Sequence, residues 1–178
     1  WVDIGPDGTV HLMALAFTGS IGAGTNAMLA SRSSDGGLTW SAPATLIADS
    51  AGAFNDKNTL TADPTDARYV YAVWDRLVGE HGPTWFARST DGGRSWEAAR
   101  QIYNPGRTSQ TIGNRIVVIT DGPDRGHLVN VFTRIDVVAG IARNSLNIIR
   151  SADQGQTWSA PTRISEMQAV GTRDPDDG

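Results

Sequence analysis

Along the chain, short apolar runs alternate with clusters of Gly, Pro, Asp and Ser. The run at 69–74, Tyr-Val-Tyr-Ala-Val-Trp, is the clearest of them. It is rich in β-branched and aromatic side chains, and its length suits a buried strand. Comparable runs at 10–17, 27–32, 45–48, 58–62, 85–88, 96–102, 116–119, 128–132 and 145–149 predict further strands, and 2–4 predicts an innermost stub. Gly5-Pro6-Asp7-Gly8, Asp63-Pro64-Thr65-Asp66 and Asp121-Gly122-Pro123-Asp124 read as turns. The polar stretches 20–25, 75–83 and 134–143 read as loops. No segment of useful length carries a helical period.

One octet recurs within this pattern. Ser33-Ser34-Asp35-Gly36-Gly37-Leu38-Thr39-Trp40 returns as Ser89-Thr90-Asp91-Gly92-Gly93-Arg94-Ser95-Trp96 and as Ser151-Ala152-Asp153-Gln154-Gly155-Gln156-Thr157-Trp158. The spacings are 89 − 33 = 56 and 151 − 89 = 62. A fixed motif at a long, near-constant period marks repeated supersecondary units. Each copy lies between two strand-like runs and so reads as a hairpin turn. Ser33, Asp35, Ser89, Asp91, Ser151 and Asp153 can accept hydrogen bonds from backbone N–H groups inside such a turn. Gly37, Gly93 and Gly155 can take positive φ. Trp40, Trp96 and Trp158 are too large and apolar for a solvated tip, so each is expected to tuck against a neighbouring sheet. Three copies of one arrangement argue for a structural role of the aspartates over metal binding or catalysis. The strands then fall into three four-stranded antiparallel meanders, at about 1–49, 54–103 and 114–164, with 165–178 leading toward another.

The octet resembles the Asp-box of the sialidase and BNR-repeat superfamily, whose members are β-propellers. The resemblance covers nearly the whole chain. It implies that residues 1–178 are part of a single all-β propeller domain of sialidase type. Such propellers have six blades, so three blades of about 60 residues are about half of one. The chain is therefore expected to be a fragment, or to close with the remaining blades or with a second copy of itself.

Composition narrows the picture further. With 178 residues and 39% hydrophobic content, the chain can bury one real core. A net charge of −4 argues against a general nucleic-acid binder. No apolar run is long enough to span a bilayer. No signal-peptide pattern opens the sequence, which starts abruptly at Trp1; a secreted or cell-surface location is the expectation that goes with the resemblance. The absence of cysteine excludes disulfides, thiol catalysis and cysteine-ligated zinc. No His or Glu spacing marks a metal site, and no cofactor is expected.

The octets join the third strand of each unit to the fourth. The opposite end therefore collects the residues before the first strand and after the second. Asn55, Asp56 and Lys57 gather there, with Asp75, Arg76, Glu80 and His81, then Asn114 and Arg115, then Arg134 and Asp136. By resemblance, sialidases hold a carboxylate substrate with clustered arginines and use an Asp acid/base with a Tyr–Glu nucleophile pair. Guanidinium groups suit that task because they pair bidentately with carboxylate. Asp56 is then the candidate acid/base, and Lys57, Asp75, Arg76, Arg115, Arg134 and Asp136 are candidate ligand-binding residues. Each arginine also has a simpler reading as an ion-paired loop residue. The chain departs from the family pattern in lacking Phe/Tyr-Arg-Ile-Pro. Tyr69 and Tyr71 lie within a strand, which leaves the Tyr–Glu pair unplaced. Two functions stay open: a sialidase-like exo-glycosidase acting on acidic glycans, and a non-catalytic propeller that binds glycans or proteins.

Overall fold

The computed structural model of the chain describes residues 1–19 and 24–168. Its strands are β1 (Val2–Ile4), β2 (Val10–Phe17), β3 (Asn26–Ser33), β4 (Ala44–Asp49), β5 (Phe54–Ala62), β6 (Val70–Leu77), β7 (Thr84–Ser89), β8 (Arg100–Tyr103), β9 (Ser109–Val118), β10 (Leu128–Val138), β11 (Ile141–Ser151) and β12 (Thr162–Met167). They form three four-stranded sheets, β1-β2-β3-β4, β5-β6-β7-β8 and β9-β10-β11-β12, each antiparallel and in chain order. These are three consecutive propeller blades.

The middle sheet is covered on both faces, which explains the unbroken apolar run in β6. With a side-chain period of two, Val70, Ala72 and Trp74 point toward the first sheet and pack with Met13, Met28, Ala30 and Leu46. Tyr71 and Val73 point the other way and, with Phe86, meet Ile116, Val118 and Leu128 of the third sheet. Strand β5 also packs against β1, β2 and β3, and β9 against β5 and β6, so the first strands of the sheets stand side by side. By contrast β12, the outer strand of the third sheet, is exposed along its whole length.

Several boundaries differ from those the pattern predicts. Strand β5 starts at Phe54, not at 58, and carries Asn55, Asp56 and Lys57 within it. Its register shifts between Asp56 and Thr59, and Lys57 there takes φ 49°. Strand β9 starts at Ser109 and is irregular opposite Val131 and Thr133, with Gly113 at φ 68°. Such bulges bend a strand and break its apolar alternation, so these segments read as loops. The expected loop at 134–143 is instead a long hairpin. Strand β10 runs to Val138 and β11 begins at Ile141, joined by Ala139 and Gly140 at φ 52° and 76°. Two consecutive positive φ values give a primed two-residue turn, which matches strand twist. At 75–83, β6 continues through Leu77, and a Val78–His81 bridge closes the connection. Most of the 20–25 loop, and the 165–178 stretch beyond 168, lie outside the described residues.

Candidate functional site

The two ends of the sheets are built differently, and each octet turn closes on itself. In the second one, Ser89 Oγ donates to Asp91 Oδ1 at 2.8 Å and accepts from Gly93 N at 2.8 Å. Asp91 then accepts from Ser95 N at 2.9 Å and from Ser95 Oγ at 2.6 Å. The same bonds recur from Ser33 and Asp35 to Gly37 and Thr39, and from Ser151 and Asp153 to Gly155 and Thr157. For Asp35 the Thr39 hydroxyl and N–H hold the carboxyl at about 2. In Asp91 and Asp153 partial burial pushes upward, but the bonds from Ser95 and Ser89, or from Thr157 and Ser151, together outweigh it and leave both at about 2. All three carboxylates are committed to their own turns.

The tryptophans diverge. Trp158 meets Phe86 of the middle sheet edge-on, with centroids 5.6 Å apart, and Trp96 packs on the cluster between the first and second sheets. Trp40 has no sheet beside it among the described residues and is 41% exposed, departing from the expected tucked position. Its indole instead donates to Gly37 O at 3.0 Å.

At the opposite end, polar groups bond from sheet to sheet. Arg76 donates to both oxygens of Asp49, at 2.7 and 2.6 Å, and lies over the Trp85 ring at 5.1 Å. This pairing holds the Asp49 carboxyl below its ordinary range. Arg134 occupies the matching place in the third sheet. It reaches back to Tyr103 Oη at 2.9 Å and Pro105 O at 3.1 Å, and also bonds Asp136 at 2.9 Å. Both arginines therefore tie the second strand of one sheet to the end of the sheet before. Beneath them lie buried amides. Asn55 bonds Asn26, Asp49 and the Trp74 indole. Asn114 bonds Thr84, Thr111 and Asn130.

Besides Arg76, held by Asp49, the residues expected to form the site divide into three groups. Asp56 pairs with Lys57 at 3.4 Å and lies opposite Asp75 in the β5–β6 ladder. Asp75 is 1% exposed and its Oδ1 has no partner among the described residues. Burial first, and the nearby Asp56 charge second, push its carboxyl up to about 8. Arg134 and Asp136 line an open groove of about 670 Å³ with Arg143, Arg163 and Glu166. Arg115 lies apart, 5.2 Å over the Trp1 ring, in a hollow of about 350 Å³ along the first strands of the sheets. Arg143, Arg163 and Glu166 were not among the sequence candidates. The long β10–β11 hairpin and the outer strand β12 bring them to the groove, and neither placement shows in the residue pattern.

Three octet turns on consecutive four-stranded meanders define a partial β-propeller of the Asp-box class. A model of the BNR/Asp-box repeat matches residues 149–160. A sialidase of Micromonospora viridifaciens is 27% identical over 165 residues, covering 80% of this chain and 25% of that protein. Residues 149–160 thus match the BNR/Asp-box repeat, and the chain is similar to the sialidase/BNR-repeat superfamily. Among solved structures, an α-L-arabinanase of Penicillium chrysogenum complexed with arabinobiose aligns with a TM-score of 0.71 at 12% identity, over 92% of this chain and 49% of that one. A Hadza microbial sialidase gives 0.66 at 18% identity, over 88% and 35%. An α-L-arabinofuranosidase of Fusarium graminearum gives 0.65 at 13%, over 88% and 45%. The chain thus spans a quarter of the curated relative it matches and between a third and a half of these structures. At such identities the structural likeness concerns the fold.

Proposed function

We propose that the chain is part of a sialidase-like, carbohydrate-active propeller that engages an acidic glycan at the end opposite the Asp-box turns. The observation that carries this reading is the groove on the third sheet, where Arg134, Arg143 and Arg163 meet Asp136 and Glu166. Guanidinium groups suit carboxylates, and carboxylates suit sugar hydroxyls. Asp56, Lys57 and Arg115 extend the polar surface along the first strands, with Asp56 as the acid/base in a hydrolytic version of the reading. Asp75 supports it from below as a buried, largely protonated carboxyl at neutral pH. The remaining blades, from further chain or from a second copy, complete the propeller. Action on external glycans goes with a secreted or cell-surface location. Among the described residues no helix is long and apolar enough to cross a membrane.

One observation favours the alternative, a non-catalytic propeller that binds glycans or proteins. Arg76 and Arg134 are engaged by Asp49, and by Tyr103, Pro105 and Asp136. They hold sheets together before any ligand arrives. The test measures binding of a sialylated oligosaccharide and its neutral counterpart by calorimetry, alongside release of sugar from a fluorogenic sialoside. Arg143→Ala with Arg163→Ala is expected to weaken the acidic glycan about tenfold or more if these charges are desolvated on binding. Equal binding of both sugars, or binding that ignores the double substitution, would overturn the acidic-glycan reading. Binding without sugar release selects the scaffold over the hydrolase.

A further inference from the structure

We infer that the tip of the β10–β11 hairpin is a docking element for an anionic lipid surface, resting in the headgroup layer with two arginines at its base. The inference does not depend on the glycan reading. Eleven ladder pairs join β10 to β11, against eight in β2–β3 and six in β6–β7. The extra length runs out of its own sheet. Strand β9 pairs with β10 only as far as Asp136, and β12 pairs with β11 only from Asn144. Residues 137–143 therefore form a two-stranded finger.

The finger is apolar. Val137, Val138, Ala139, Gly140, Ile141 and Ala142 follow one another, and all six are exposed. Val138 is 54% exposed and Ile141 64%. Exposed apolar runs of this length mark a contact surface. Ala139 takes φ 52° at the first turn position, where Asn or Asp fits the left-handed backbone better. The sequence thus keeps an apolar residue where turn chemistry favours a polar one. The matching connection of the second sheet, 78–83, carries Glu80 and His81 instead. Nor is this exposure that of the sheet's outer face. Side chains alternate along β10, so Val138 shares a face with Arg134 and Asp136, and Ile141 is its ladder partner. That face is turned to the second sheet, where Arg134 reaches Tyr103.

Charge decides what kind of surface fits. Arg143 follows the apolar run, and Arg107 precedes Thr108, whose carbonyl accepts from Val137 N. Both arginines are exposed. Among the described residues neither has an acidic partner, whereas Asp136 and Glu166 are held by Arg134 and Arg163. The base of the finger is therefore cationic, although the chain as a whole carries −4. An apolar tip above a cationic collar matches an anionic bilayer, whose surface potential attracts the arginines and whose interface takes up the apolar side chains. A protein partner fits less well. Six small residues fall short of the roughly 20–30 a side of a stable interface, and none is a Trp, Tyr or Arg of the kind that anchors one. Beyond Val137 the outward backbone groups of the finger are unpaired, which keeps it in the wet headgroup layer and out of the hydrocarbon. The contact is weak and reversible, as single-anchor membrane contacts are.

The test uses vesicles of phosphatidylcholine alone and of phosphatidylcholine mixed with phosphatidylserine. Neither carries sugar, so the outcome is separate from that of the glycan reading. The chain has no cysteine, so Val138→Cys and, as a control in the second Asp-box turn, Thr90→Cys each take one polarity-sensitive fluorophore. Blue-shifted emission and protection from an aqueous quencher are expected at position 138 with the mixed vesicles and not at position 90. In flotation with the mixed vesicles, Val138→Asp with Ile141→Asp is expected to weaken binding about tenfold or more. Arg107→Glu with Arg143→Glu is expected to weaken it by about tenfold or more as well. All four positions are exposed, so the urea midpoints of these variants are expected to match that of the parent chain. No flotation with the mixed vesicles, flotation untouched by the aspartate pair, or the same response at position 90 as at 138 would each overturn the inference. So would a blue shift at position 138 that grows with protein concentration in the absence of lipid, which assigns the tip to a protein contact.

Discussion

At the Asp-box end, Ser89, Asp91 and Ser95 bond one another within a single turn. At the other end, Asn55 reaches back to Asn26 and Asp49 in the first sheet and across to Trp74 in its own. The first arrangement is local and repeats with the motif. The second is assembled only when sheets meet. A local turn can lose a bond and let water replace it, whereas a buried network strands every partner of the residue removed. The two ends should therefore differ in how much a single substitution costs and in how they respond to pH.

The largest difference is expected from Asn55→Ala. Asn55 is fully buried; its loss leaves the Trp74 indole without a partner and takes one donor each from Asn26 and Asp49, while Asn26 Oδ1 still accepts from the residue-55 backbone N–H. At about 1–3 kcal/mol for the stranded indole and about 0.5–1.5 kcal/mol for each of the two lost amide bonds, the cost is roughly 2–6 kcal/mol in urea denaturation. Asp91→Ala, in a partly solvated turn, should cost about 1–3 kcal/mol. A larger loss from Asp91→Ala would reverse the comparison. A second pair separates the docked octet from the undocked one. Gly155 and Gly37 both hold positive φ, at 81° and 91°. Alanine at either meets a backbone penalty of about 1–2 kcal/mol. At Gly155 it also meets the Phe86 ring, and overpacking adds about 1–3 kcal/mol. Equal costs at the two positions would mean that the third octet does not bear on the middle sheet.

The pH response follows from two opposite shifts. The folded pKa of Asp75 is raised from 3.8 to about 8. Between those values the folded chain holds a proton that the unfolded chain releases. The stabilisation is complete below the lower value and falls as pH rises toward about 8, by up to about 1.4 kcal/mol per unit. The Asp-box acids are lowered from 3.8 to about 2. Their contribution is present above the ordinary value and is lost as pH falls toward 2. Asp75→Asn should flatten the decline between pH 5 and 8 and leave the acid limb unchanged, as read by melting temperature. A decline that persists in Asp75→Asn would place its source elsewhere.

The same contrast decides what the sequence makes legible. The octets are readable because Ser, Asp, Gly and Trp do their work within eight consecutive positions. The run at 69–74 is readable because it is covered on both faces. At the other end, bulges at Lys57 and Gly113 break the alternation that marks a strand, so the starts of β5 and β9 look like loops. The partners of Arg76 and Arg134 lie in the preceding sheet, at separations no local pattern encodes. Arg143, Arg163 and Glu166 reach the groove through a hairpin and an edge strand whose placement is a tertiary fact. Polar residues at that end are visible in the sequence, but which of them already hold one another is not.

Every sheet pairing joins strands that are neighbours in the chain. Loop closure within a sheet is thus confined to hairpins, for which the entropic barrier is small. Each sheet can complete its ladder before the next one forms, as in sequential assembly during synthesis. What couples one sheet to the next are contacts such as Arg76 with Asp49, 27 residues apart, and Arg134 with Tyr103, 31 apart. Folding of this chain is then expected to run as fast local zipping steps, with cooperativity entering at docking, through those arginines and the buried amides beneath them.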